Sequence, residues 1–306
     1  MATEATHSSR RHSSAWVGVG LALFAAVGFS GKAILVKLAY RDGVDAVTLL
    51  ALRMVFSVPM FMAVALWSRV RNNAKPFAKT DWMMVVGLGL AGYYLSSLFD
   101  FMGLAYITAG LERLVLFLYP TMVVLISAIL FRRPVGWHER VALVLSYAGI
   151  FLVFLHDMGQ HQNGVVMGTV LVFVSTLTYS FYLIGTGHAV RRIGPIRFTA
   201  YAMLVASVAT LTQYSLTHPV DLIFQQTRRV YELSVAMAIF STVLPTFMLS
   251  AAIQKIGAGR VSLVGSIGPV STLFMAQMFL GEAVTFIQLA GSFLVLAGVL
   301  SVSAKK

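Results

Sequence analysis

The sequence predicts an all-α membrane protein whose ten transmembrane helices form two inverted five-helix repeats. Three observations predict this fold class: an apolar composition, a series of apolar runs of membrane-spanning length, and matched residues at a fixed spacing in the two halves. Of the 306 residues, 58% are hydrophobic and only 11% are charged, and the mean hydropathy is +0.83. In soluble domains roughly a quarter of the residues are charged, so the composition excludes a soluble globular protein.

Ten apolar runs follow one another with short polar segments between them. A helix needs about 20 apolar residues to cross a hydrocarbon layer ~30 Å thick, and each run approaches or exceeds that length. The predicted organisation is a cytoplasmic tail over 1–15, a first five-helix repeat over 16–156 and a second over 165–303. The predicted spans, in order, are 16–38, 46–67, 82–104, 110–131, 139–155, 165–187, 197–216, 233–252, 260–280 and 286–303.

The net charge of +12 indicates the orientation of the chain. Basic residues concentrate before the first predicted span, after every even-numbered span and at the C-terminus. Because cytoplasmic loops carry the excess of Lys and Arg, both termini are predicted to be cytoplasmic in a multi-pass protein of the cell membrane, with the bacterial inner membrane as the expected location. These loops are expected to contact anionic membrane lipids, and no nucleic-acid partner is predicted. The residues on this side include Arg10, Arg11, Arg69, Arg71, Lys79, Arg132, Arg133, Arg140, Arg191, Arg192, Arg197, Lys255 and Arg260.

Residues recur at a fixed spacing in the two halves of the chain. Pro120 and Pro269 lie 149 positions apart, and an offset of 150 pairs Ser30 with Ser180. Each half holds five spans, an odd number, so the second half begins on the opposite side of the membrane and the repeats are inverted. Inverted repeats are the architecture of secondary transporters, which bind solute between the halves. The expected activity is therefore transport by alternating access.

Two segments carry a resemblance to a known family: GLAYITAGLERLVLFLYP at 103–120 and KIGAGRVSLVGSIGPVSTLFMAQMFLGEAVTFIQLAGSFLVLAGV at 255–299. They resemble the helix 4–5 and helix 9–10 signatures of the EamA-like family of the drug/metabolite transporter (DMT) superfamily. The segment VTLLALRMVFSVP is similar to the family's second helix with its arginine, here Arg53. The resemblance implies a drug/metabolite transporter-like fold, a central cavity walled mainly by helices 1–4 and 6–9, and transport of small metabolites. The first half departs from the pattern, since FRRP stands where the second half reads FLGEAV, and the family's helix-end glutamate occurs only as Glu282.

Five charged residues are predicted to lie in the outer half of the first repeat: Lys32, Arg53, Asp100, Glu112 and Arg113. A charge at the bilayer centre costs at least ~2.5 kcal/mol, so such groups face a protein interior or a wet cavity and usually pair. Two interpretations stay open for them. They form either a substrate or proton site, or structural ion pairs in which Asp100 binds Arg53 or Lys32. The charge of Glu112 in an apolar run is equally explained by a favourable interaction with the helix dipole in the first turn of helix 4. The charge of Arg113 is equally explained if its side chain reaches the outer surface.

Polar and aromatic residues extend this candidate site. A stripe at helical spacing is predicted to face the cavity and consists of Tyr93, Ser96, Ser97 and Asp100. Tyr94 and Tyr182 are the aromatic candidates, because a buried phenol needs a partner for its hydroxyl.

Two prolines are predicted to act as hinges. Pro120 and Pro269 lie inside predicted spans, and a mid-helix proline leaves backbone groups unpaired where a membrane helix bends around a cavity.

Other motifs are not predicted to carry chemistry. GLGLAG at 87–92 has dinucleotide-binding spacing, but it lies inside a membrane span and not in the βαβ unit that this motif requires, so helix packing is predicted. The chain has no cysteine and no Walker A sequence, and no enzymatic activity, cofactor or metal is predicted. The alternative is an integral membrane enzyme or lipid-handling protein that would use Asp100 and Glu112 with His156 and His161.

The functional hypothesis is a secondary transporter for a small organic metabolite, with export as the expected direction. The five predicted charges sum to +1 when all are ionised. This balance favours an amino-acid-like zwitterion or an organic anion over a lipophilic cation, and a coupled proton is a further expected partner.

Overall fold

The computed structural model describes residues 2–71, 76–159 and 163–303. Within these ranges the chain is helical and contains no strand. Nine helices are long and apolar enough to cross a membrane, and a shorter apolar helix, Phe286–Ser301, follows them in the described chain. The predicted fold class is confirmed.

The ten helices begin and end within a few residues of the predicted spans, except that the first extends back to Ala2. A short 3₁₀ helix, Val220–Phe224, follows the seventh. In chain order the helices are α1 (Ala2–Arg41), α2 (Ala46–Arg71), α3 (Lys79–Leu104), α4 (Ala109–Leu130), α5 (Trp137–Gly159), α6 (Val165–Ile193), α7 (Pro195–Thr217), α8 (Arg228–Ile256), α9 (segments Ala258–Gly265, Gly268–Met275 and Ala276–Leu280) and α10 (Phe286–Ser303).

The bundle has two chemically different ends. The basic end holds the connections after α2, α4, α6 and α8, and the far end holds the other connections. Helices α2, α4 and α8 begin at the far end, and each is capped there by a side chain: Asp45, Thr108 and Thr227 accept hydrogen bonds from backbone N–H groups of the first turn. Such caps satisfy donors that the helix itself leaves unpaired, so they fix where each helix starts.

Each helix of the first half packs against helices of the second half. α1 contacts α8 and α9, α2 contacts α7, α3 and α4 contact α6, and α5 contacts α10. The main core cluster lies between the two halves and includes Ile34, Leu49 and Phe101. Large apolar side chains such as Phe24 and Phe293 are exposed on the outside, as expected for a surface solvated by lipid.

The two halves share their helix interruptions. α4 is broken at 117–118 and α9 at 266–267, again 149 positions apart. Ser30 of α1 donates a hydrogen bond to the Gly268 carbonyl (3.0 Å), and Ser180 of α6 points its hydroxyl at the Tyr119 carbonyl (3.4 Å). Gly268 and Tyr119 are the first residues after the two breaks, so equivalent serines contact equivalent carbonyls.

A second pair of matched irregularities lies in α3 and α8. π-helical turns occupy Leu90–Leu95 and Ile239–Val243, and their first residues are also 149 positions apart. π-helical turns inside α-helices are rare, so their recurrence at one offset supports the repeat more strongly than matched apolar residues do.

Candidate functional site

A buried ion cluster joins α1, α3 and α4. The Lys32 ammonium contacts Asp100 Oδ2 and lies 2.9 Å from Glu112 Oε1. Asp100 is 3% exposed and Glu112 is fully buried. Of the two partners predicted for Asp100, the structure shows Lys32. Glu112 lies in the first turn of α4 as predicted, but Thr108 supplies the side-chain cap and the Glu112 carboxylate pairs with Lys32.

Arg53 of α2 is buried without a carboxylate partner. It is 5% exposed, and its guanidinium lies over the Phe101 ring, 4.8 Å from the centroid. Its Nε atom makes no hydrogen bond, and no Asp or Glu oxygen of the described residues lies within 4 Å of it. A cation–π contact contributes about 0.5–2 kcal/mol, which is less than the cost of desolvating a charge.

Arg113 of α4 points into the bundle and not to the outer surface. Its guanidinium lies against Gly268, because a Cβ added to Gly268 would be 2.6 Å from Arg113 Nη2. Its buried Nε atom has no hydrogen-bond partner, and the ion pairs of the described chain do not include it. The interpretation that Arg113 reaches the surface is therefore not what the structure shows.

Four tyrosines form an aromatic wall from α3, α4 and α6, beside Arg113. The ring centroids of Tyr93 and Tyr182 are 5.0 Å apart, those of Tyr179 and Tyr182 are 5.5 Å apart, and those of Tyr119 and Tyr179 are 5.8 Å apart. The hydroxyls of Tyr93 and Tyr182 are hydrogen-bonded at 2.8 Å. Tyr182 was a sequence candidate, whereas Tyr119 was missed because a single tyrosine before a proline carries no distinctive pattern.

The residues of the predicted polar stripe on α3 contact two different helices, α6 and α1. Ser96 is hydrogen-bonded to Ser175 of α6, so this serine serves helix packing, whereas Asp100 reaches Lys32. Ser97 is half-buried. Tyr94 is also half-buried and packs against the main core cluster.

The two predicted hinge prolines occupy equivalent places. Pro120 and Pro269 are each the second residue of the segment that follows a break, in α4 and α9. A helix leaves its first N–H groups unpaired, so a residue without an N–H costs little there.

The far end is held together by contacts between the halves. The Glu282 carboxylate, after α9, accepts a hydrogen bond from the Ala109 N–H (3.1 Å) at the start of α4. Arg41 donates to the Leu280 carbonyl at 2.5 Å. Burial raises the pKa of the Glu282 carboxyl, and the nearby Lys37 ammonium opposes that rise. The glutamate that follows α9 thus caps a helix of the other half.

The basic end has its own contacts between the halves. Asp81, at the start of α3, forms an ion pair with Arg192 at the end of α6. Arg197 lies over the Phe77 ring, 3.9 Å from its centroid. The buried cluster therefore lies between two sets of contacts, one at each end of the bundle.

The carboxylates considered for an alternative enzymatic site, Asp100 and Glu112, pair with Lys32. Asp157, which follows His156 in α5, accepts a hydrogen bond from Thr108 (2.7 Å). In the parts of the chain that the structure covers, no three His, Cys, Asp or Glu residues are grouped as metal ligands. His161 lies outside the described residues.

Comparison with known proteins identifies the family of this chain. The sequence model of the EamA-like transporter family matches residues 16–155 and 166–304. The chain belongs to the EamA-like transporter family. Two five-helix copies of this EamA-like sequence thus coincide with the two structural halves.

Several proteins are similar to this EamA-like chain. A Bacillus subtilis protein named uncharacterized transporter YcbK is 30% identical over 274 residues, which covers 88% of this chain and 87% of that protein. An Archaeoglobus fulgidus protein named uncharacterized transporter is 26% identical over 74% of this chain and 79% of its own length. A solved structure titled only as a crystal structure of protein aligns with a TM-score of 0.63 and 17% identity, over 94% of this chain and 96% of that one. That last likeness concerns the fold alone. The chain is a membrane transporter by family.

Proposed function

We propose that this protein is a secondary transporter for a small organic solute that carries a carboxylate, either an amino-acid-like zwitterion or an organic anion. The observation that carries the proposal is the pairing within the buried cluster. Lys32 engages both carboxylates, Asp100 and Glu112, so Arg53 and Arg113 remain without an anionic partner among the described residues. Two buried guanidiniums in this state favour an anionic ligand.

The chemistry of arginine supports a carboxylate as that ligand. Guanidinium binds carboxylates through paired N–H donors in a fixed planar geometry. Arg113 lies beside the aromatic wall, and its tyrosine rings offer an apolar surface with hydroxyls at the edge. A solute with one carboxylate and a small apolar body matches both features.

Alternating access is supported by the arrangement of the halves. Inverted repeats exchange conformations around a central site in secondary transporters. The breaks in α4 and α9 lie beside the cluster, since Arg113 precedes one break by a turn and contacts Gly268 just after the other. We infer that these breaks, with Pro120 and Pro269, are where the helices bend as access changes.

A proton is the proposed coupling ion. Lys32, Arg53, Asp100, Glu112 and Arg113 together carry a charge of +1 when all five are ionised, and one proton added at Asp100 or Glu112 raises that charge to +2. Because opposite charges attract more strongly as their charge grows, proton binding favours binding of an anionic solute.

Solute exchange in proteoliposomes tests the proposal. A panel of labelled zwitterionic amino acids and carboxylates is compared with a lipophilic cation, and we expect exchange of members of the first two classes only. Arg53→Gln is expected to lower this exchange at least tenfold, because it removes one of the two unpaired guanidiniums. Arg228→Gln is the matched control, since Arg228 is 93% exposed in its side chain and the change should leave exchange intact.

The coupling is tested by the response to a pH gradient. Asp100→Asn is expected to remove the dependence of solute flux on the gradient. If Arg53→Gln and Asp100→Asn both leave flux and its pH dependence unchanged in folded protein, or if the lipophilic cation is the preferred solute, the site assignment is wrong. Flux measured from each side of oriented vesicles tests the proposed export direction, and labelling of the two termini tests their cytoplasmic location.

A further inference from the structure

A polar cavity lies at the far end, between α1, α3 and α9. Its volume is about 270 Å³, and residues from both halves line it. We call it the far-end cavity. Its lining includes Lys37, Tyr40 and Arg41 of α1, Ala105 after α3, and Glu282 after α9.

Most polar groups in the far-end cavity already have partners. The Tyr40 hydroxyl donates to the Phe101 carbonyl (2.6 Å). As described above, Arg41 donates to a carbonyl of α9 and Glu282 accepts from the start of α4. Lys37 differs, because its ammonium makes no hydrogen bond and no ion pair within 4 Å among the residues that the structure describes. It is half-buried, so it is only partly solvated.

The charge of the far-end cavity favours an anion. Lys37 and Arg41 contribute two positive charges and Glu282 contributes one negative charge, so the lining carries +1 when all are ionised. Glu282 and Asp157 lie near the Lys37 ammonium without a direct bond to it. This ammonium therefore gains most from a bound carboxylate, since charge-assisted hydrogen bonds are stronger than neutral ones.

The far-end cavity lies next to the buried cluster. Lys37 follows Lys32 on α1 by five residues, a rise of ~7.5 Å. The cavity also abuts the end of α3, one turn beyond Asp100. The far-end cavity therefore lies about one and a half helical turns from the cluster along the axis of α1.

We propose that the far-end cavity is a second binding site, in which Lys37 holds the carboxylate of the solute at the far end of its path to Arg53 and Arg113. This proposal rests on the proposed function for the identity of the solute as a carboxylate. It adds a site and a residue that the cluster does not contain.

The test uses charge-selective labelling of the whole protein, which has no native cysteine. Ala105→Cys places a thiol in the cavity lining. Two methanethiosulfonate reagents of opposite charge are compared, the anionic sulfonatoethyl and the cationic trimethylammonium-ethyl compound, with their rates normalised to a free thiol. We expect the anionic reagent to react several-fold faster.

Lys37→Gln in the Ala105→Cys background is expected to lower this preference at least ~3-fold, as loss of a unit charge at close range requires. Lys37→Arg should keep it, and Arg228→Gln, a charge change at the same end outside the cavity, should not alter it. Sodium acetate should slow anionic labelling relative to sodium chloride at the same ionic strength, and only while Lys37 is present.

Three results would overturn the proposal: no labelling of Ala105→Cys by either reagent, the same charge preference with and without Lys37, or no protection by acetate. These outcomes are separate from those of the proposed function. Lys37-dependent protection by acetate, without transport of any carboxylate, would sustain the cavity site and refute the transport assignment. Transport of a carboxylate, with a labelling rate of Ala105→Cys that depends on neither Lys37 nor acetate, would sustain the transport assignment and refute the cavity site.

Discussion

Removing the ammonium at the centre of the buried cluster gives the sharpest test of the structure. In Lys32→Met the two carboxylates of Asp100 and Glu112 would remain buried without their common partner. At 2.9 Å between Lys32 Nζ and Glu112 Oε1 and an effective dielectric constant of about 20, a unit pair attracts by roughly 6 kcal/mol. Desolvation offsets part of this attraction, and breaking a buried pair from one side costs about 3–5 kcal/mol.

The assay is reversible unfolding of the detergent-solubilised protein, followed by circular dichroism. Lys32→Met is expected to lower the free energy of unfolding by about 3–5 kcal/mol, while Lys255→Met, at an exposed position, changes it by less than about 0.5 kcal/mol. Adding Glu112→Gln to Lys32→Met removes one stranded charge and should recover at least about 1 kcal/mol. A cost below about 1 kcal/mol for Lys32→Met, or full additivity of the two changes, would refute the reasoning.

Three further changes test packing, capping and hinge roles, with unfolding or flux as readouts. Gly92→Ala should cost about 1–3 kcal/mol, because its Cβ would lie 2.2 Å from the Tyr182 ring, whereas Gly87→Ala meets no atom within 4 Å and should be nearly neutral. Asp45→Ala should cost about 1 kcal/mol at neutral pH. Partial burial acts to raise the pKa of Asp45, but hydrogen bonds from the first turn of α2 outweigh it and lower the pKa below 3.8, so this stabilisation is present above pH 3.8 and is lost as the pH falls through the lower value. An equal effect at neutral and strongly acidic pH would contradict the capping role. Pro120→Ala should change stability by less than about 1 kcal/mol, since its N–H is unpaired there, while lowering solute flux; unchanged flux would contradict the hinge.

The fold was predictable because each membrane span can be recognised from its local sequence. Each run needs only its own apolar residues to be recognised, and the spacing of Pro120 and Pro269 revealed the repeat. Asp100 and Glu112 stood out for the same reason, since a charge inside an apolar run is costly wherever it points.

The partners of these charges were not predictable from the sequence. Whether Asp100 meets Lys32 or Arg53 depends on how α1 and α2 are rotated about their axes, which packing between the halves sets. Arg113 was assigned a surface position because its neighbours in the sequence do not indicate the contact with Gly268. Gly268 has no side chain, and this leaves room for the guanidinium. That Glu282 caps α4, a helix of the other half, was not predictable for the same reason.

The halves match in backbone shape but not in charge. At the offset of 149, Asp100 corresponds to Leu249 and Glu112 to Val261, and at the offset of 150 that pairs Ser30 with Ser180, Arg53 corresponds to Met203. If the halves exchange conformations, the helix bends of each half appear in the other, while the ion cluster of Lys32, Asp100 and Glu112 stays in the first repeat. In the proposed transport cycle, the two conformations would therefore differ in electrostatic free energy, and the empty protein would favour one of them. Bound solute and protons would then supply the compensating charge.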